Sequence, residues 1–201
     1  MKNRLNARFV FILSSVLLFS CSVRKYTSSY YYQHEKVLDQ IESSYRSLYS
    51  SQAFSIAFTD KYFRTLSLEI KTDSLTYIYE FTPGEHRMND SALKYHLDSA
   101  GLNGLASKMR AVHCYWVSKI DYYTDNQKKL LVFISVKPVA LRSLFSETKY
   151  YIITYYSQPQ QFDAQGRLLD KKRIRRLRKV NGEVFYRIND KVCHTVSGQY
   201  R

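Results

Sequence analysis

The chain has 201 residues, 45 % of them hydrophobic and 15 % aromatic, and its 31 Lys and Arg against 17 Asp and Glu give a net charge of +14. Three prolines, six glycines and no self-similar period of about 20 to 50 residues argue against an internal disordered linker and against a solenoid. So basic a chain favours anionic partners, and which of these it meets depends on where it resides.

Lys2, Arg4 and Arg8 place three positive and no negative charges before an eleven-residue apolar run, FVFILSSVLLF, from Phe9 to Phe19. A helix needs roughly 20 apolar residues to cross a hydrocarbon core of about 30 Å, so this run has the length of an export signal, not of a permanent span. The residues that close it, Leu18-Phe19-Ser20-Cys21, resemble the lipobox of bacterial lipoproteins: a branched apolar residue, a tolerant position, a small residue, then cysteine. The resemblance covers residues 1–21 alone. It implies a signal peptide of residues 1–20, a mature chain that starts at a lipidated Cys21, and a membrane anchor. Ser22, where inner-membrane retention uses aspartate, implies the outer membrane, with the protein in the cell envelope facing the periplasm.

Without residues 1–20 the net charge is still +11. Ser22 to Gln33 (SVRKYTSSYYYQ) shows no aliphatic core pattern and is expected to be a flexible tether spanning, with Cys21, residues 21–33. The rest, 34–201, has the size of one domain with its own core.

Val37, Ile41, Tyr45 and Leu48 fall on one stripe of a helix from about His34 to Ser50, with Glu42 and Arg46 as an outward i, i+4 pair. The period then becomes two. Phe54, Ile56 and Phe58 predict a strand, and Leu66, Leu68, Ile70 and then Leu75, Tyr77, Tyr79, Phe81 predict a hairpin about Thr72-Asp73-Ser74. Next comes a helix capped at Asn89 or Asp90, with Leu93, Leu97 and Ala100 on one face and Gly101 ending it. A short second helix is expected from Asn103, with Leu105, Met109 and Val112 inward. Tyr115 to Tyr123 and Leu130 to Val136 form a second hairpin, and KYYIITYY (149–156), apolar on both faces, reads as a central strand. FDAQGR is turn material, Asn181-Gly182 between apolar runs is a strong hairpin signal, and Asn189-Asp190 marks a further turn. The sum is an α+β fold: an antiparallel sheet of about six to eight strands with two or three helices packed on one face.

Chemistry is harder to find. Cys114 and Cys193 form a candidate disulfide, since an exported chain meets an oxidising compartment; the alternative is two thiols packed as small hydrophobes. The neighbouring His113 and His194 do not complete a zinc site, because adjacent residues on a strand face opposite ways. No G-x-S-x-G, H-E-x-x-H, P-loop or G-x-G-x-x-G occurs, so no catalytic set, metal or cofactor is assigned.

The most distinctive stretch of the mature chain is KKRIRRLRK: Lys171, Lys172, Arg173, Arg175, Arg176, Arg178 and Lys179. In the envelope its partner is anionic lipid, lipopolysaccharide or an acidic glycan, not nucleic acid, with Ile174, Leu177 and Val180 as a narrow apolar edge against the body. The bland alternative is a solvated basic edge. The tyrosine pairs Tyr122-Tyr123 and Tyr155-Tyr156, with Tyr30-Tyr31-Tyr32, are candidate sugar-stacking platforms or ordinary strand residues. The expected function is a lipid-anchored, non-catalytic binding or structural role, and the alternative is a hydrolase or small-ligand-binding domain acting on envelope components.

Overall fold

A computed structural model describes residues 3–124, 127–139, 149–170, 173, 175–180 and 182–198, with side chains from residue 26 onward except 122–128 and 137–139. The elements in order are α1 (Asn3–Tyr49), β1 (Phe54–Phe58), β2 (Leu66–Lys71), β3 (Thr76–Phe81), α2 (His86–Lys94) and α3 (Ser99–Ala111). They are followed by β4 (Cys114–Thr124), β5 (Gln127–Val139), β6 (Lys149–Tyr156), β7 (Lys179–Val180), β8 (Glu183–Val184), β9 (Tyr186–Arg187) and β10 (Val192–Ser197). The fold is α+β.

Packing divides the chain into two units, Met1–His34 and Glu35–Arg201. The first is helix from Asn3 onward. Ser22 to Gln33 is therefore helical where an irregular tether was expected. The reason lies in what the sequence omits: no glycine or proline occurs before Pro83, so nothing in those twelve residues interrupts backbone hydrogen bonding. Among the described residues, no helix is long and apolar enough to cross a membrane.

In the second unit, α1 carries Leu38, Ile41, Tyr45 and Leu48 inward, fully or nearly buried, while Arg46 Nε donates to Glu42 Oε1 at 2.8 Å on the outside. Its last carbonyls are taken by serines: Ser50 Oγ donates to Ser47 O at 2.6 Å and Ser51 Oγ to Leu48 O at 2.8 Å, which ends the helix and turns the chain into β1.

Eight strands form one antiparallel sheet in the order β3-β2-β1-β4-β5-β6-β10-β9, and β7 pairs with β8 as a separate ribbon. Register assigns the two faces. Ile56 lies opposite Val117 and Leu68, while Ala57 lies opposite Trp116 and Ser67. The face bearing Phe54, Ile56 and Phe58 takes the helices: the Tyr45 and Phe54 rings are 4.9 Å apart, and Tyr45 donates its hydroxyl to Phe54 O at 2.6 Å. The other face holds a second cluster in which Trp116, Leu131, Phe133, Ile152, Tyr156 and Cys193 meet Leu168 and Phe185 from the segment between β6 and β10. That segment is a second cover, and it explains why β6 is apolar on both sides.

The helical region between β3 and β4 breaks earlier than expected. The first helix, α2, begins at His86 after Glu85, not at Asn89 or Asp90; Asp98, not Asn103, caps α3 by accepting from Ala100 N at 3.0 Å, and Gly101 lies inside that helix. The turn before it is closed by His96 at φ 57° and by the Leu97 amide donating to Ala92 O at 2.9 Å. Gly101 is needed there for close approach, because a Cβ would sit 2.9 Å from a Leu48 methyl. Leu105, Met109 and Val112 are inward as expected, but Leu93 is exposed; Met88 and Ala92 are the buried residues of α2.

Candidate functional site: the cationic arm

The chain between β6 and β10 forms an arm of short bridges. Phe162 pairs with Leu168, Arg167 with Tyr186 and Leu169 with Leu177, while the Leu168 amide donates to Phe185 O at 2.8 Å. Its first turn is organised by Asp163, whose carboxylate accepts from Gln165 N at 3.0 Å, Arg167 N at 2.8 Å and Arg167 Nε at 2.6 Å; Gly166 takes φ 74° to close it. Burial acts to raise the Asp163 pKa, but the Arg167 amide and guanidinium outweigh it and hold the carboxyl below its usual range. Thr195 Oγ1 on β10 donates to Val184 O at 2.9 Å and fastens the arm to the sheet.

The basic run lies on this arm. The Asp170 amide donates to Arg176 O at 2.8 Å, and Arg173 N and Arg176 N close successive turns onto Asp170 O and Arg173 O at 3.2 and 2.7 Å. These turns leave the side chains of Arg173, Arg175 and Arg176 exposed, Lys179 is exposed on β7, and none of the four makes an ion pair with a described residue. Lys171, Lys172 and Ile174 lie outside the described residues.

Arg178 departs from the expected pattern. It turns inward, its guanidinium 5.6 Å from the Tyr156 ring centroid and Nη1 donating to Gln160 Oε1 at 3.3 Å, while its amide donates to Leu168 O at 2.9 Å. This is a packing role, with the aliphatic stem and planar head laid over an aromatic. Leu177 and Val180 are half-buried, and Val180 packs on the second core.

The candidate disulfide is not formed: Cys114 and Cys193 are free and buried. Cys114 begins β4 opposite Val136, and Cys193 lies on β10, with β5 and β6 between. Three strand spacings of about 4.8 Å put them some 14 Å apart, twice the reach of a bridge. Burial pushes the Cys193 thiol up to about 12, with the Arg178 charge acting weakly the other way, and burial raises Cys114 further still. On β10, Cys193 joins the arm-side core and its neighbour His194 faces the helix side opposite Tyr186. Tyr155 and Tyr156 are buried on opposite faces and offer no sugar platform; the side chains of Tyr122 and Tyr123 lie outside the described residues. Comparison with protein-family models, with curated proteins and with solved structures found no match.

A residue pair that pattern reading missed is Tyr79 and Tyr95, whose hydroxyls meet at 2.7 Å across β3 and the end of α2. That hydrogen bond, then burial, pushes the Tyr95 phenol up to about 12. Its signal in the sequence is absent, because the pairing depends on where the helix breaks.

Proposed function

We propose that the chain is a lipid-anchored protein of the bacterial cell envelope, held by acylated Cys21, whose α+β domain has a non-catalytic binding role at a phosphate-bearing anionic surface. The observation that carries this reading is the exposure of Arg173, Arg175 and Arg176 on consecutive turns, and of Lys179 on β7 of the same arm, without an acidic partner among the described residues. Guanidinium groups bind phosphate oxygens in a fork that lysine cannot reproduce, and each cation close to an anionic membrane contributes about 1 kcal/mol. The outer membrane, with the domain in the periplasm, is the location this reading assigns. The exposed run is the binding element, and Arg178 is excluded from it as a packing residue.

The test has two parts. Mass spectrometry of the mature N-terminus should show an acylated Cys21, and Cys21→Ser should abolish the adduct; an unmodified terminus would overturn the anchor. Purified full chain should bind lipopolysaccharide with a steep salt dependence that flattens when Arg173, Arg175 and Arg176 are changed to Gln. Unchanged binding in that variant would remove the arm from the reading.

A further inference from the structure

The loop of residues 59–65, between β1 and β2, is organised by Asp60. Its carboxylate accepts from the amides of Tyr62 at 3.0 Å, Arg64 at 2.7 Å and Thr65 at 2.8 Å. Desolvation works to raise the Asp60 pKa, but these amides prevail and keep the group ionised and turned onto the backbone. Phe63, at φ 57°, points inward and is buried, with its ring 5.0 Å from Phe58, 5.5 Å from His113 and 4.7 Å from Tyr115. Tyr62 is thereby left 62 % exposed, with Lys61 Nζ 4.8 Å and the Arg64 guanidinium 5.0 Å from its ring centroid.

The same end of the sheet gathers more charge. Arg110, in the last turn of α3, lies 5.7 Å from the Phe58 ring, and the 6.3 Å contact between Tyr115 and Tyr150 brings up the start of β6, where Lys149 is exposed. Lys61 and Arg64 therefore flank an exposed tyrosine, Arg110 and Lys149 are exposed on adjoining elements, and none of the four makes an ion pair among the described residues, Asp60 being occupied by amides. Tyr150, at this end, and Tyr156, beneath Arg178, are six residues apart on β6, about 20 Å at 3.3 Å per residue. Charges are screened over about 8 Å at physiological salt, so this patch is electrically separate from the place where Arg178 packs.

We infer that this end of the sheet is a contact for an anionic phospholipid bilayer: Tyr62 seats at the headgroup level and Lys61, Arg64, Arg110 and Lys149 meet the lipid phosphates. Tyrosine is favoured at membrane interfaces because one end of its ring system is apolar and the other wet, and cations beside it gain from the negative surface potential. The inference does not depend on acylation of Cys21 or on the run 171–179; it requires only that the domain meet a membrane face.

The experiment places Tyr62→Trp in the full chain, reconstituted in phosphatidylcholine vesicles with or without phosphatidylglycerol and with brominated acyl chains. Trp116, the single native tryptophan, is buried, and the wild-type signal is subtracted as background. Emission from the introduced indole should shift to the blue and be quenched in the anionic vesicles alone. Adding Lys61→Gln and Arg64→Gln should return it toward the phosphatidylcholine level, with about a fivefold weaker contact for each charge removed. Equal quenching in both vesicle types, or none in either, would overturn the inference. So would retention of quenching in the variant that also lacks both cations, or its loss only when Arg173, Arg175 and Arg176 are changed to Gln, which would assign the lipid contact to the arm.

Discussion

The phenol of Tyr45, one turn from the end of α1, donates to the carbonyl of Phe54, the first residue of β1, at 2.6 Å, and the two rings lie 4.9 Å apart. One side chain thus ties the helix to the sheet by a hydrogen bond and an aromatic contact together. Burial, aided by the nearby Tyr49, Asp121 and Glu69, raises the Tyr45 pKa well above its ordinary 10, so the phenol stays a donor in alkali. Tyr45→Phe should cost about 1–2 kcal/mol in denaturant unfolding at pH 7, since the carbonyl loses its partner while the ring is retained. The pH dependence has a definite sign. An unfolded phenol ionises near pH 10 and the folded one does not, so folding is favoured by neutral Tyr45 below that pH and loses this contribution as the pH rises from 10 toward the folded value. The variant should be weaker at neutral pH and show a shallower alkaline decline; an equally steep decline would assign the titration to another group.

Cys114 and Cys193, both buried and both with raised pKa values, should be inert to iodoacetamide and to aromatic disulfide reagents at pH 8 in the native state, and both should react once the chain is unfolded. Intact-mass analysis after alkylation, with and without denaturant, reads this directly. Oxidising conditions should leave the pair unbridged, and a loss of about 2 Da that reduction reverses would contradict the strand order.

Arg178→Gln should lower stability by about 1 kcal/mol through the lost stacking on Tyr156 and the lost bond to Gln160, whereas Arg173→Gln, Arg175→Gln and Arg176→Gln together should leave the melting temperature within a degree or two. Thermal unfolding of the two variants side by side separates the packing arginine from the exposed ones.

Ser135 lies on β5 between Trp116 and Ile152, fully buried, and its hydroxyl has no hydrogen-bond partner among the described residues. A buried hydroxyl without a partner costs free energy, so Ser135→Ala should stabilise the protein by about 1 kcal/mol in chemical denaturation. A destabilised variant would mean that the hydroxyl is satisfied.

Much of the fold is legible in the residue pattern. Alternation at Phe54-Ile56-Phe58 and at Leu66-Leu68-Ile70 marks strands because a pleated backbone sends every second side chain to the same core, and these residues are buried as the period requires. The two-sided apolar run 149–156 likewise foretells a strand covered on both faces. Ser22–Gln33 misleads because its polarity suggests irregular chain, although a stretch without glycine or proline carries no signal that stops a helix. Leu93 falls inward on the helical period of 89–101, but that period runs across a break that only His96 and Asp98 create.

The candidate site divides along the same line. Seven cations crowding into nine residues, apolar side chains recurring every third position among them, and strands on either side are all readable from the letters, because each is local and set by charge or period. Three-dimensional packing was needed to fold Arg178 onto Tyr156, to seat Cys114 and Cys193 on strands too far apart to bridge, and to turn Phe63 inward so that Tyr62 stands out between two cations. These outcomes depend on strand order and on which surface each neighbour covers, which are contacts between residues far apart in the chain, and no local pattern encodes them.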